Sequence, residues 1–471
     1  MLYFLLSLAL LIVGYVVYGA FVDRIFGPDG RTTPAYALRD DVDYLPMPTW
    51  KLVLIQVLNI AGIGPIFGPI LGALYGPIAL LWIVFGCIFA GAVHDYFSGM
   101  LSLRNKGASI PEVVGEYMGM SARQVMRVFS FVLLMLVGVV FVLSPAKLLT
   151  SITGWNTGLM VACIFVYYFL ATILPIDKII GRFYPAFGAL LLTMTLALLV
   201  ALMLSGHSLL PNLNFAVNTH PGHKPIWPLL FITISCGALS GFHSTQSPLM
   251  ARCLKRESEG RLVFYGSMIL EGIIGLVWCT LGLSFYDSPE ALNAVIAAGS
   301  PSAVVADVSN SLLGPVGGFL AVLAVIVLPI TSGDTAFRST RLIVAETFKM
   351  EQRRASKRLL IAVPLFVLGY LISTQNFNII WRYFGFSNQA LSTLVLWSAS
   401  VYLAQRDKLH WITTIPAVFM TSVVVAFIAN ATIGFNLSYE VSVILGIVSA
   451  VLALGVFLVK FHSRPKVIPE N

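Results

Sequence analysis

Few side chains could do chemistry inside the apolar stretches that dominate this chain, so each one stands out. Glu271 lies about ten residues into an apolar stretch at 260–285, roughly 15 Å deep if that stretch is helical. A carboxylate there costs about 2.5–3.5 kcal/mol on membrane-insertion scales. It reads as a proton carrier or as a protonated carboxyl bonded to a neighbouring helix. His243 stands among Ser240, Gly241, Ser244 and Thr245, where an interrupted helix would expose amides to an anion. It reads as a substrate or coupling residue, or as a histidine that satisfies freed backbone groups. Thr331 and Ser332 offer adjacent hydroxyl oxygens to a hard cation. Asp334 and Arg338, four apart, share a helix face and are expected to neutralise each other as a stabilising pair or gate element. Asp95 is expected at a cytoplasmic helix end, capping it or paired with a loop arginine. His94 beside it has a side chain that titrates near neutrality and reads as structural. Phosphate-loop, H-E-x-x-H and G-x-S-x-G patterns are absent, and the residues form no nucleophile–base or metal constellation.

These residues are carried by thirteen apolar stretches, near 2–22, 51–76, 77–102, 123–144, 157–174, 182–205, 226–250, 260–285, 314–338, 357–373, 384–404, 410–429 and 439–461. Each is about as long as a bilayer-crossing helix. With 58% hydrophobic and 11% charged residues, the chain is an all-α integral membrane protein and not a soluble domain. Of the 29 lysines and arginines, only Lys147, Lys224 and Arg382 fall outside one alternating set of gaps and the tail. That set includes Lys178 and Arg182 in the fifth gap and Arg464 and Lys466 in the tail. Positive charge marks cytoplasmic loops, so the N-terminus is expected outside and the C-terminus inside. The net charge of +8 is then topology, not a nucleic-acid surface. The loops are too short to hold a signalling domain. The five cysteines are scattered without a C-x-x-C pair and read as small core residues. The first stretch lacks the cationic start of a signal peptide and is expected to be retained.

Two stretches are wrong for plain helices. The second holds Asn59, Gly62, Gly64, Pro65, Gly68 and Pro69, and the seventh holds Ser235, Gly237, Ser240, Gly241 and His243. Backbone that leaves a helix at that depth must be paired by protein or line a cavity. The alternative is close packing along the ridge Gly64, Gly68, Gly72 and Gly76. The interruptions fall five stretches apart and enter the membrane from opposite sides. Paired interruptions in two halves point to a carrier site near the midplane. The pattern resembles the LeuT-type five-plus-five inverted repeat, with one helix before and two after. It divides the chain into 1–50, a first repeat at 51–205, a second at 226–404, and two terminal helices with a tail at 405–471.

Five segments resemble the carbon starvation protein A family: IAGIGPIFGP from Ile60, AGAVHD from Ala90, SCGALSGFH from Ser235, TSGDT from Thr331 and FGFSNQ from Phe384. The resemblance implies a bacterial inner-membrane carrier for small carbon sources, pyruvate and peptides both being attributed to members, driven by a proton or sodium gradient. The chain looks like a short form without the C-terminal portion of longer members, and it reads STQSP after His243.

The expected function is a secondary active symporter for a small carboxylate such as pyruvate. Peptide or amino-acid import is the alternative, and a channel is a more distant rival. Substrate is expected at Asn59, Gly62, Gly64, Ser240, Gly241 and His243. Sodium is expected at Ala61, Thr331 and Ser332, or a proton at Glu271. Asp95, Asp334, Arg338 and Asn388 are assigned gating or structural parts. Beyond lipid, substrate and the coupling ion, no cofactor or nucleic acid is expected, and no enzymatic activity.

Overall fold

The computed structural model describes residues 1–174, 180–207, 209–210, 214–375 and 377–462. Lys178, Arg464 and Lys466 lie outside the described residues, as does the side chain of Arg182. Among the described residues every regular element is a helix. Apart from the single turn Pro34–Ala37, these are in order α1 (Leu2–Phe26), α2 (Thr49–Ala61), α3 (Gly64–Ala73), α4 (Ile78–Arg104), α5 (Ile110–Met118), α6 (Met120–Thr153), α7 (Thr157–Ile173) and α8 (Ile180–Leu204). There follow α9 (Ile226–Thr233), α10 (Gly241–Ala251), α11 (Glu257–Ser284), α12 (Pro289–Thr347), α13 (Ala355–Ser373), α14 (Phe377–Ala404), α15 (Trp411–Asn430) and α16 (Tyr439–Phe461).

All thirteen apolar stretches are helical, whole or in two pieces. Among the described residues, nine helices are long and apolar enough to cross a membrane, or ten if α2 and α3 count as one bent span. At 17 residues α7 is short of that length, and α9 and α10 have 8 and 11 residues. Residues 289–313, outside the expected apolar stretches, are helical and form the first part of α12. Gly314, with φ +68°, interrupts α12.

Burial separates centre from periphery. The most apolar window of α11 is 83% buried, against 22% for α1 and for α16. α11 lies along α3, α12 along α6, and α15 along α16. Val16, Leu204, Val316, Leu360, Ile415 and Val459 stay exposed on outer helices. A soluble protein would cover so wide an apolar surface, and lipid can cover it here. The centre formed by α2–α4, α9–α12 and α14 carries the polar residues singled out from the sequence.

Both sequence interruptions are real. α2 and α3 meet at 49°. Gly62 between them has φ +47° and ψ −145°, a conformation essentially closed to other residues. Between α9 and α10 the chain leaves the helix from Ile234 to Ser240 and passes through Gly237 at φ +88°. The glycine ridge also packs, and its target is the other interruption. A Cβ on Gly64 would collide with Cys236, and one on Gly68 would stand 3.0 Å from the Thr233 carbonyl. The packing and interruption readings of that ridge therefore both hold.

Candidate functional site

The second interruption is finished by four side chains from three helices. Glu271 of α11 accepts the Gly237 amide at 3.2 Å, and Trp82 of α4 donates to the Ile234 carbonyl at 2.9 Å. Gln389 of α14 donates to the carbonyls of Phe231 and Leu239, both at 3.1 Å. Its neighbour Asn388 accepts the Phe242 amide at 2.6 Å and bonds Ser240 Oγ. Gly241 fits because its missing Cβ leaves room for the Asn388 carbonyl. Asn388 is thus a structural cap on α10. Gln389 and Trp82 were not singled out from sequence, although FGFSNQ contains the first.

His243 of α10 sits between two carboxylates from two other helices. Its Nδ1 is 2.9 Å from Asp95 of α4, and its Nε2 is 3.3 Å from Glu271. Asp95 also meets His94 Nδ1 at 2.8 Å. All four side chains are fully buried. The expected interfacial Asp95 is corrected here. α4 continues to Arg104, nine residues further, and Arg104 is the residue that pairs in the loop region, with Glu257 at 3.1 Å. His243 faces carboxylates rather than mending backbone, which Glu271, Asn388 and Gln389 already do.

Cys236 joins this group. Its Sγ and ligand atoms of His243 and Glu271 lie within 4.8 Å of one another. Thiolate, imidazole and carboxylate are a donor set suited to a zinc-like ion. Its members stand on three separate elements with no motif spacing, so no metal constellation shows in the sequence.

The first interruption faces α12. The Leu58 carbonyl, whose helical partner would be the Gly62 amide, accepts Ser332 Oγ at 2.9 Å. A Cβ on Gly62 would stand 3.5 Å from that hydroxyl and 2.7 Å from the Phe141 ring. The Thr331 hydroxyl turns back to the Leu328 carbonyl at 2.8 Å. Ala61 is buried beside the break. Asn59 is fully buried, and both its side-chain polar atoms lack a hydrogen-bond partner among the described residues.

The expected Asp334–Arg338 pair does not form. Tyr167 donates to Asp334 at 2.9 Å and Tyr184 makes a very short bond to it. Arg338 bonds Asp43 at 2.9 Å and the carbonyls of Ala171 and Leu174. Two tyrosines and a loop carboxylate, remote in sequence, outcompete the residue four positions away. Arg341 also reaches Asp43, at 3.4 Å. Burial would raise the Asp43 carboxyl, but Arg341, Arg338 and Arg252 together hold it down to about 2.

The sequence profile of the carbon starvation protein CstA family matches residues 1–160, 143–314 and 296–427. The chain belongs to the CstA family. A membrane protein of Haemophilus influenzae without assigned function is 50% identical over 64% of this chain and 95% of its own length. The peptide transporter CstA of Bacillus subtilis is 25% identical, covering 87% of this chain and 86% of that one. The pyruvate/proton symporter BtsT of Escherichia coli is 26% identical over 58% of this chain and 47% of its own length. Among solved structures, a Na+-coupled sialic acid symporter superposes with TM-score 0.57 at 12% identity, over 96% of each chain. MhsT in complex with L-phenylalanine gives TM-score 0.57 at 13% identity, over 87% of this chain and 98% of that one. At such identities the likeness concerns the fold, which these neighbours share as LeuT-type transporters. This CstA-family member is accordingly a multi-pass membrane protein, and its relatives of named function and its structural neighbours are transporters, not enzymes.

Proposed function

We propose that the chain is a secondary active importer of the bacterial inner membrane that carries a small carboxylate such as pyruvate together with a proton. One observation carries this reading: His243, on the helix that resumes after the second interruption, lies between Asp95 and Glu271 from two other helices. A proton shared across three groups on three elements changes the attraction among those elements when it arrives or leaves. That is what coupling an ion to a rearrangement of helices requires. The carboxylate would lie between the interruptions, near Asn59, whose side chain has no hydrogen-bond partner among the described residues, and the amides opening α3 and α10.

In this reading spans 2–6 and 7–11 form the two inverted repeats, at 51–205 and 226–404, within thirteen crossings. The N-terminus lies outside and the C-terminus in the cytoplasm. The Asp43–Arg338–Arg341 and Arg252–Glu346 pairs then close the cytoplasmic side. A sodium-coupled variant of the reading is favoured by the contact of Ser332 with the freed Leu58 carbonyl, beside Ala61 and Thr331. Peptide import, named in the Bacillus relative, would require a partner for the peptide ammonium. Glu271 is the candidate, and it is already engaged with Gly237 and His243.

The test is uptake of labelled pyruvate by the purified protein in liposomes, with proton and sodium gradients imposed separately. Accumulation driven by the proton gradient alone is expected. Accumulation driven by sodium alone would move coupling to Thr331 and Ser332. No accumulation under either gradient, with the protein folded, would overturn the carboxylate reading and leave peptides and amino acids.

A further inference from the structure

A cavity of about 370 Å³ opens beside the second interruption. It runs from the exposed side chains of Lys224 and Arg382 to the buried Ser235 at the start of the break. Tyr75, Trp381 and Phe384 supply much of its wall. Among the described residues no aspartate or glutamate lines it.

The chain has 29 lysines and arginines, and topology confines all but three to the other side of the membrane. Two of those three, Lys224 and Arg382, border this one cavity. Neither has a carboxylate partner among the described residues. Among the described residues Arg382 donates to the Thr432 hydroxyl, at 3.3 Å. His220 adds wall and not charge: its Nδ1 accepts the Gly222 amide at 3.0 Å and its ring packs edge-on to Tyr75. Burial and then the charge of Lys224 hold it below the usual histidine range. Two unpaired cations over an aromatic wall, with no acid present, select an anion with an apolar body and disfavour a free ammonium group. The volume falls among pockets of about 300–1,000 Å³ that take drug-sized molecules, more than a three-carbon acid needs.

We propose that this cavity is an outer vestibule site for organic monocarboxylates, which gathers the transported acid and also holds bulkier apolar acids that then block the path. The proposal rests on the carboxylate reading above for its transport consequence, but the binding it asserts can be measured without transport. At high ionic strength the attraction should fall, since charges more than about 10 Å apart are screened at 0.1 M salt.

Phenylpyruvate is the probe. Its binding to the purified protein would be measured by calorimetry, and its inhibition of labelled pyruvate uptake by adding it outside liposomes. The comparison is the parent against K224Q/R382Q, whose exposed positions spare the packed interior. Saturable binding that weakens about tenfold in the variant and falls with salt is expected. Outside phenylpyruvate should inhibit the parent, and the variant should need about ten times more, with a raised pyruvate KM and unchanged maximal rate. Equal affinity in parent and variant, or no binding to the folded parent, would overturn the vestibule. If phenylpyruvate binds as expected while pyruvate is never accumulated, the vestibule stands and the pyruvate reading falls.

Discussion

At the second interruption, Glu271, Trp82, Gln389 and Asn388 take up the backbone groups that leave the helix. At the first, one side chain, Ser332, reaches the freed Leu58 carbonyl, while buried Asn59 keeps two polar atoms without a partner among the described residues. An unpaired buried polar group costs about 1–3 kcal/mol, and Asn59 carries that cost; at the second interruption the freed backbone groups are tied, and the two buried side-chain atoms without a hydrogen bond, His243 Nε2 and Glu271 Oε2, face each other at 3.3 Å. The difference suggests a division of labour. The well-tied break is a frame that holds His243 at fixed distance from two carboxylates. The loosely tied one keeps unspent hydrogen-bonding capacity for something that arrives from outside the chain.

The largest expected effect breaks the frame's chemistry while sparing its shape. Glu271→Gln keeps an oxygen for the Gly237 amide and removes the carboxylate facing His243. Proton-driven accumulation of pyruvate should fall to the level of equilibration, while counterflow exchange stays measurable. Undiminished accumulation under a pH gradient would sink the role of Glu271 and return coupling to the first interruption.

Asp43→Ala should give the next largest effect, on stability. It leaves Arg338 and Arg341 buried without their carboxylate, and breaking such a pair costs about 3–5 kcal/mol. The midpoint of thermal unfolding in detergent should drop accordingly. The pH dependence follows from the arginines. Asp43 titrates at about 2 in the folded chain, below its ordinary value of 3.8. Its stabilisation is therefore complete above pH 4 and is lost as pH falls toward 2. The parent should lose stability across that window, and Asp43→Ala should lose less.

How much of this could be read in the sequence depended on distance along the chain. Gly62 and Gly237 announced both breaks, because only glycine suits those backbones and both stand inside apolar runs. Ser332, Glu271 and His243 were legible because polar atoms at that depth are costly wherever they point. The partners were not legible. Asp95 meets His243 across 148 positions, and Asp334 meets Tyr184 across 150, so a rule about residues four apart chose Arg338 wrongly. Helix ends were misplaced where a cap replaced an apolar boundary. Ser288 accepts the Ala291 amide and starts α12 well before its apolar run begins. Gln389 shows the same limit: an amide in an apolar helix is visible, but which carbonyls it serves is set by tertiary packing.

Paired glycine substitutions sharpen the contrast between the breaks. Gly237→Ala meets nothing nearer than 3.6 Å, so its cost is that of the left-handed backbone, about 1–2 kcal/mol. Gly62→Ala adds a collision with Phe141 at 2.7 Å, and overpacking of that kind brings a further ~1–3 kcal/mol. Gly62→Ala should therefore unfold at the lower temperature, and Gly62→Ala with Phe141→Leu should recover part of the loss. Equal destabilisation at both sites would mean that Phe141 yields freely and that the first break is looser than its packing implies.

The smallest effect is expected from the hydroxyls of α12. Ser332→Ala and Thr331→Ala each remove one neutral hydrogen bond, a net change of about 0.5–1.5 kcal/mol, and proton-driven uptake by the double variant should stay within a few-fold of the parent. The informative comparison is with sodium present and absent. If the hydroxyls complete a cation site with the Leu58 and Ala61 carbonyls, any sodium stimulation of the parent should vanish in the double variant while the response to pH persists. A parent indifferent to sodium would assign the unspent polar atoms of the first interruption to the substrate instead. Asn59→Ala would then be expected to raise the pyruvate KM more than Ser332→Ala does.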